Sequence, residues 1–414
     1  MVVSARLWTR IWLTGRVACL VGLSFAQGTR AETLHDAIQA AWALDPNSRS
    51  AEIDMQAAHR TANALDSWFP AGPTLSGEYF DDHFIGSHVG YTTYQGGISV
   101  PLWLPGQGSA SVRNALADEA VARARVKVER LATAVRVLDL ASTATALTRE
   151  IDNLNAVRGM LSKVMTDTRR ALRAGEIASA DQDAVVAETE DLDSRRAERQ
   201  QRLETACAEL ETLTGHDAIP DLMALDGHVL SSAGLVLDPA RDPRIVMADA
   251  ISRGAGASYE LARRSYMPDP NVGVQVSRQE QYGSPWDTQI GVVLNVPLPS
   301  AARNTPMLMK EVRAMGAAER DATLARRKVT VEYRQTRSQL AAALDILRHS
   351  RATEAALDDR AAHLKQAWRV GETPIIEYLR ARRAALDARQ RASQADVIWH
   401  ASMVRMMLMA GQTP

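Results

Sequence analysis

The chain has almost no cysteine. Its 414 residues contain only two, Cys19 and Cys207, which lie far apart in the sequence. A small protein that is held together by disulfides needs several cysteines at close spacing, so a disulfide framework is excluded.

Aromatic residues are also scarce, and neither sign of charge prevails. Aromatic side chains make up 5% of the sequence, and 48 basic residues are balanced by 49 acidic ones. Because a nucleic-acid partner requires a basic surface, no such partner is expected. Alanine, leucine, arginine and the two acids are abundant instead, which is typical of long helices. Hydrophobic residues form 46% of the chain, so it is folded rather than disordered.

Motifs of catalysis and of cofactor binding are missing. The sequence has no glycine-rich phosphate loop, no Gly-x-Ser-x-Gly elbow and no two histidines four residues apart. We therefore predict no catalytic residue, no bound cofactor and no resident metal. Two groups of side chains resemble metal ligands, and we interpret them as a polar loop and as core packing respectively. They are Asp81, Asp82, His83 and His88 in "DDHFIGSH", and Met403, Met406, Met407 and Met409.

Long hydrophobic runs are missing as well. The apolar run from Val17 to Ala26 is shorter than the ~20 residues that a membrane-spanning helix needs. It follows three arginines, Arg6, Arg10 and Arg16, and it ends in small residues. This is the layout of a secretory signal peptide, so we predict residues 1–26 to be removed on export, with cleavage as late as residue 31.

Three landmarks occur twice, at offsets of 196 to 198 residues, and this indicates an internal duplication. The segments Trp68–Pro70 and Tyr266–Pro268 each start with an aromatic residue and end with proline. The sequence Val-Pro-Leu starts at Val100 and again at Val296. "RAGEIASADQDAV" likewise parallels "RVGETPIIEYLRA". We predict a first repeat at 32–215, a linker at 216–242 and a second repeat at 243–410.

Each repeat contains two stretches in which apolar and small or polar residues alternate. Val272, Val274 and Val276 follow this period of two, as do Ile290, Val292 and Leu294, and as do Tyr94, Gly96, Ile98 and Val100. Such alternation predicts strands with one apolar face, and lengths near ten residues suit tilted strands in a membrane. Eleven of the 20 aromatic residues fall in the two hairpin regions, several of them at strand ends. Aromatic girdles of membrane strands have this placement.

The rest of each repeat predicts long helices. The stretch from Leu104 to Arg173 has no proline after Pro105, and as a helix it would extend about 100 Å. Gly175 and Gly371 are predicted to end the long helices. Return helices are predicted at 179–213 and 374–409, with Ser179 and Gln182 as a capping box and Thr373 as an N-cap. Helices upstream of the strands are predicted at 33–67 and 243–265.

This arrangement resembles the TolC family of outer-membrane efflux and secretion channels. The similarity rests on the signal peptide, the duplicated helix–strand–strand–helix–helix unit, and the "RAGEIASAD" and "RVGETPIIEYL" turns. It implies an α+β membrane protein, a trimeric 12-stranded outer-membrane β-barrel with four strands per chain, continued by an α-helical coiled-coil tunnel in the periplasm. A trimer is also expected because the unpaired backbone N–H and C=O groups at an open sheet edge find no hydrogen-bond partner in lipid.

The resemblance further implies partners and site residues. The partners are two further copies of the chain, outer-membrane lipid, a periplasmic adaptor and an inner-membrane pump of the resistance-nodulation-division type. Adaptor docking is expected at Gly175, Glu176, Gly371 and Glu372. A gate is expected at Asp181, Glu377 and Arg380, where Glu377 and Arg380 share a helix face and can pair.

The cargo stays open at this point. "VPLPSAARNTP" is similar to a Pro-Leu-Pro-Leu-x-Asn-Arg-Asn stretch of heavy-metal export channels, but it departs from that stretch from Ser300 to Asn304. The preferred function is a passive duct for heavy-metal cations or drugs. The alternatives are a channel for type I protein secretion and, in another class, a soluble periplasmic coiled-coil adaptor.

Overall fold

The computed structural model describes residues 33–82, 90–175, 177–223, 238–281 and 283–412. The predicted signal peptide lies outside these residues, as do His83, His88 and Glu176. The first half of the chain contains α1 (Leu34–Leu44), α2 (Pro46–Leu65), β1 (Thr74–Asp81), β2 (Tyr91–Pro101), α3 (Gln107–Arg173) and α4 (Ser179–Thr214). The second half contains a 3₁₀ turn (Pro239–Arg241), α5 (Pro243–Arg264), β3 (Asn271–Gln281), β4 (Asp287–Asn295), α6 (Ala301–Arg369) and α7 (Ile375–Met409).

After α1, which has no α-helical counterpart among the described residues of the second half, both halves have the same order of elements: a helix, two strands, a very long helix and a shorter return helix. The two Val-Pro-Leu segments lie at equivalent places, because β2 ends at Pro101 before α3 and β4 ends at Asn295 before α6. Proline is tolerated at this point since strand pairing is ending. The four strands form one antiparallel sheet in the order β1-β2-β3-β4, which confirms the predicted four strands per chain.

The predicted upstream helix at 33–67 is wrong in one respect, because it is two helices that meet at Asp45. Pro46 lacks the N–H that would continue α1, and it occupies the first turn of α2. The Asp45 carboxylate accepts hydrogen bonds from the backbone N–H groups of Asn47 (3.0 Å) and Ser48 (3.2 Å) and from the Thr133 hydroxyl (2.9 Å). Burial raises the pKa of Asp45, but these bonds outweigh it and the pKa lies below its usual value.

The long helices pack lengthwise, as their length requires. α3 packs against α4 and α7 in the part of the chain near the turns, and against α2 and α5 nearer the sheet. α6 packs against α7 and α5. The helices thus form a layer, in which α3 lies inside and α6 lies at one edge. The other edge is formed by α2 and then by α4.

Two apolar clusters hold this layer together. One joins α1, α3, α4 and α7 through Ile38, Leu138, Leu210 and Val404, all of them nearly inaccessible to solvent. The four methionines Met403, Met406, Met407 and Met409 are buried nearby, so their interpretation as core packing is confirmed. The second cluster lies close to the two helical turns.

Candidate functional site

The sheet has one face made of apolar side chains that are exposed in the single chain. The register places Leu75, Ile98, Val274 and Val292 side by side across all four strands. Leu75 is 86% exposed and Val292 is 76% exposed, although a β-sheet face of this composition normally lies in a core. A contiguous apolar patch of this kind marks a surface that contacts lipid or another protein.

The opposite face of the sheet is polar and small. Thr74 and Ser99 are joined by a hydroxyl–hydroxyl hydrogen bond of 2.8 Å, and the Gln275 side-chain amide donates to Gln95 Oε1 at 2.8 Å. Glycines lie between these side chains, and a Cβ at Gly273 would approach Ile98 O to 2.6 Å. This face therefore offers polar groups next to closely approaching strands.

Aromatic residues frame the apolar face. At the hairpin end, the rings of Tyr79 and Tyr94 are 5.0 Å apart and those of Tyr94 and Trp286 are 5.8 Å apart. The Arg278 guanidinium lies 5.1 Å from the centre of the Trp286 ring. The helical end carries exposed rings as well: Trp68, Phe69 and Tyr266. Two aromatic bands around an apolar strip are the arrangement of a strand that crosses between two membrane interfaces.

None of the helices in the described part of the chain combines the length and the apolarity that crossing a membrane requires. Within the same residues, no group of three or more histidine, cysteine, aspartate or glutamate side chains could hold a metal ion.

At the far end of the molecule, glycines end both long helices. Gly175 and Gly371 have φ angles of 74° and 80°, and their N–H groups donate to Leu172 O and Trp368 O at 3.0 Å each. At the second turn, the Glu372 N–H also donates to Ala367 O at 2.9 Å, which completes a Schellman motif. The predicted helix ends are confirmed, whereas adaptor docking at these residues remains a prediction.

The predicted caps of the return helices are wrong. Ser179 is the first residue of α4 rather than its N-cap, and the N-cap position belongs to Ala178. α7 has Pro374 at its N-cap position, and Thr373 Oγ1 is buried without a hydrogen-bond partner among the described residues. Both helices therefore begin without a side-chain cap, and packing must stabilise these ends instead.

The second apolar cluster supplies that packing. Val185 of α4, Leu161 of α3 and Ile375 and Tyr378 of α7 are buried together. The Tyr378 ring stacks on Trp368 of α6 with centroids 6.1 Å apart and planes 8° apart, and burial raises the pKa of Tyr378. Each such buried side chain contributes about 1.5–3 kcal/mol, so the turns are anchored from inside.

The predicted gate residues lie just beyond the turns. Asp181 and Glu377 are the acidic residues of the first turns of α4 and α7, where a negative charge also stabilises the helix dipole. The Arg380 Nη1 donates to Glu377 Oε1 at 2.7 Å, the pairing that the spacing of three residues predicted. In the single chain the Arg380 side chain is 70% exposed and the Glu377 side chain is 43% exposed. Their role as a gate remains a prediction.

Sequence reasoning missed the charged links between helices. The Arg383 guanidinium of α7 contacts Glu188 (3.6 Å) and Asp191 (3.1 Å) of α4. Arg389 of α7 donates to Glu354 and to Asp358 of α6 at 2.7 Å each, and hydrogen bonding to Glu354 raises the pKa of Arg389. The only sequence signal is the arginine-rich segment "RARRAALDARQR", which names no partner.

The comparisons with known proteins agree with this geometry. Residues 239–412 match the family model described as "Outer membrane efflux protein". The resemblance inferred from the sequence is thereby confirmed on the second half of the chain. No curated relative matches the sequence.

Solved structures share the fold at low identity. The outer membrane protein VceC from Vibrio cholerae has a TM-score of 0.74 at 14% identity, covering 92% of this chain and 96% of its own. CusC, whose transmembrane channel formation has been described, has a TM-score of 0.71 at 16% identity and 92% coverage of both chains. The open-state MtrE outer membrane channel from Neisseria gonorrhoeae has a TM-score of 0.69 at 15% identity, covering 92% of this chain and 89% of its own.

Proposed function

We propose, from the match of residues 239–412 to outer membrane efflux proteins and from the channel fold of the described chain, that this protein is the outer-membrane duct of a tripartite export system. The observation that carries the proposal is the exposed apolar sheet face between two aromatic bands, which continues into two helices of 67 and 69 residues. At about 1.5 Å per residue, each helix reaches some 100 Å from the sheet.

Three copies complete the duct. The sheet of one chain has two open edges, β1 and β4. In lipid, the unpaired backbone groups at such edges are strongly unfavourable, so neighbouring chains pair β4 with β1 and close a ring of 12 strands. The polar face, with Gln95 and Gln275, then faces the water-filled interior, and the apolar face contacts outer-membrane lipid.

The duct is passive, and its partners lie at the opposite end. The turns at Gly175 and Gly371, with Glu176 and Glu372 beside them, receive the periplasmic adaptor, and an inner-membrane pump of the resistance-nodulation-division type supplies the energy. The gate lies at Asp181, Glu377 and Arg380. We infer a cargo of small solutes, either heavy-metal cations or drugs, and no catalysis by this chain.

Cell fractionation and loss of function test the proposal. The protein should require detergent for extraction from outer-membrane fractions and should have the mass of a trimer there. A strain that lacks it should become sensitive to heavy-metal salts or to a panel of drugs, and plasmid-borne protein should restore resistance. Extraction from the periplasm without detergent would support a soluble adaptor instead. Loss of a secreted protein with unchanged solute resistance would support type I secretion.

A further inference from the structure

The two edges of the helical layer carry a surface that none of the described residues covers. Near the turns, the packing order across the layer is α4, α3, α7 and α6, and the described residues show no extensive contact between α4 and α6. α4 and α6 thus each pack through one face and present the opposite face to solvent.

The outward face of α4 carries a line of exposed residues along the helix, which we call the α4 seam. Its residues are spaced alternately by three and four, all are exposed, and most are small or acidic: Ala187, Glu190, Ser194, Ala197, Gln201, Glu204, Ala208 and Glu211. Spacing of this kind normally marks the line along which a helix packs on a partner helix. Small residues on that line allow a partner helix to approach closely.

α6 has a matching seam on its own outward face. Its exposed residues have the same alternate spacing: Ser338, Ala341, Asp345, Arg348, Ala352, Ala355, Asp359, Ala362, Gln366 and Arg369. A helix with two faces of this kind, one occupied by α7, is suited to contact a second helix on its other side.

The charges on the two seams are complementary. On α4, Asp183 continues the acidic series of Glu190, Glu204 and Glu211 at multiples of seven residues, and none of the four has an ion-pair partner among the described residues. On α6, Arg369 is likewise without an ion pair in the described chain, and Arg348 has only the exposed Asp345 at 3.6 Å.

Further charged side chains near the α6 seam determine the sign of the net charge along this edge. Asp359 is the second acid on the seam, whereas the exposed Arg337 and Arg360 and the half-buried Lys365 flank it. The charges of this edge that lack a partner in the described chain are therefore mainly positive, opposite to those of α4.

Internal ion pairs fix the heights of the two seams. Asp191 of α4 contacts Arg383, and Asp358 of α6 contacts the neighbouring Arg382 at 2.7 Å, so Asp191 and Asp358 lie at nearly one level. α4 and α6 run in opposite directions. Glu204 lies 13 residues beyond Asp191 along α4, a distance of about 20 Å. The same distance counted back along α6 from Asp358 ends within one turn of Arg348. By the same measure, Asp183 lies within one turn of the level of Arg369.

We propose that α4 of one copy docks along α6 of the next copy, with Glu204 facing Arg348 and Asp183 facing Arg369 across the boundary. The inference deepens the proposed function, because it rests on the closed trimer suggested above. A ring closed by rotation keeps every residue at its own height, so heights measured within one chain hold between chains. Opposite charges at matched heights then select the register of the two helices, and the alanines let their backbones approach.

Charge reversal tests the contact. Glu204→Arg and Arg348→Glu should each weaken the detergent-solubilised trimer, with dissociation to monomers on the order of tenfold more favourable, because like charges then face each other. The double variant should recover most of the trimer. The matched control is Asp152→Arg, which reverses an exposed acid on the inner helix α3 and should leave the trimer unchanged. Trimers of undiminished stability in both single variants, or a double variant no better than the worse single one, would overturn the inference.

A cysteine pair gives a second readout that does not depend on charge. In a Cys207→Ser background, Glu204→Cys together with Arg348→Cys should form covalent dimers and trimers on oxidation. The two positions lie on opposite edges of one chain, so a bond within the chain is not expected. Wild-type trimers without cross-linking of this pair would overturn the inference and leave the proposed function intact. A wild-type protein that stays monomeric in detergent would contradict the proposed function itself.

Discussion

Arg383 of the second half of the chain reaches Asp191 of the first half at 3.1 Å, across 192 residues of sequence. The pair joins α7 to α4 close to the turns, where these two helices otherwise touch little. Both side chains are nearly half exposed, so the pair contributes about 0–1 kcal/mol. It is therefore a contact that can be broken at low cost.

Breaking that contact should ease opening of the tunnel. Arg383→Ala removes the links to Asp191 and Glu188 while the apolar cluster at the turns is kept. We expect larger or more frequent single-channel openings in planar bilayers. Arg196→Ala is the control, because the hydrogen bond of Arg196 among the described residues goes to Asn155 of the adjacent α3, at 3.5 Å, and not to α7. Equal conductance of the Arg383→Ala and wild-type channels would refute a closing role for Arg383.

The helix-ending glycines predict separate effects on docking and on insertion. Valine at Gly175 or Gly371 would have to adopt a positive φ, which costs about 1–2 kcal/mol. A Cβ at either site meets no atom within 4 Å, so the backbone rather than a clash causes the effect. We expect reduced export in a resistance assay with normal membrane insertion. Gly159→Val is the control, because Gly159 is equally open but has an ordinary helical conformation. Normal export by both turn variants would remove the docking assignment.

The Glu377–Arg380 pair predicts opposite changes in ion selectivity. Glu377→Gln leaves Arg380 without its partner, so the mouth should lose cation preference and be blocked less by multivalent cations. Arg380→Gln should raise cation preference instead. Reversal potentials in a salt gradient measure both effects. Glu319→Gln, an exposed position near the other end of α6, should change neither. Selectivity that is the same in all three variants would contradict a gate at Glu377.

The two faces of β4 predict different tolerance of a charge. Val292 and Val293 are adjacent and identical, but Val292 belongs to the apolar face and Val293 to the polar face. Val292→Lys should cost about 2–4 kcal/mol if that face meets the bilayer core, and should reduce the amount of trimer in the membrane. Val293→Lys should insert normally. Similar losses for both variants, measured by outer-membrane yield, would contradict the assignment of the faces.

The lowered pKa of Asp45 predicts an acid-sensitive joint between α1 and α2. Because the folded pKa lies below the unfolded value of about 3.9, the ionised carboxylate stabilises the fold above that value. This contribution is lost as pH falls through the lowered pKa. Asp45→Asn keeps an oxygen that can cap the helix but removes the charge, so it should reduce thermal stability at neutral pH, and the difference from wild type should shrink in acid. A difference that is independent of pH would contradict the ionised cap.

Much of the fold could be predicted from local patterns. Alternation fixes which strand residues share a face, and the glycines at 175 and 371 mark helix ends because few other residues adopt their φ angles. The break at Asp45 could also have been found, because aspartate before proline is a strong signal for a new helix.

Other features could not be read from the sequence. Several acidic residues lie within reach of the arginine-rich helix α7. Only the relative height of α4 and α7 determines that Arg383 pairs with Asp191. α4 and α7 have Ala178 and Pro374 at their N-cap positions and begin without a side-chain cap. These helix starts are stable because apolar residues that are distant in the sequence pack there, and this packing stabilises them more than a polar cap would. Such features depend on contacts between segments that are distant in the sequence, which no local pattern encodes.

The order of the strands has a consequence for how the chain folds. β1 with β2 and β3 with β4 are each formed by neighbouring segments, but the β2–β3 pairing joins Pro101 to Asn271. Closing so long a loop is slow compared with forming helices and local hairpins. The helical rods should therefore mature first, while two separate hairpins expose apolar side chains to water. Until the central pair closes, the chain is prone to aggregation at these edges, and in the proposed outer-membrane duct folding would have to be coupled in time to membrane insertion.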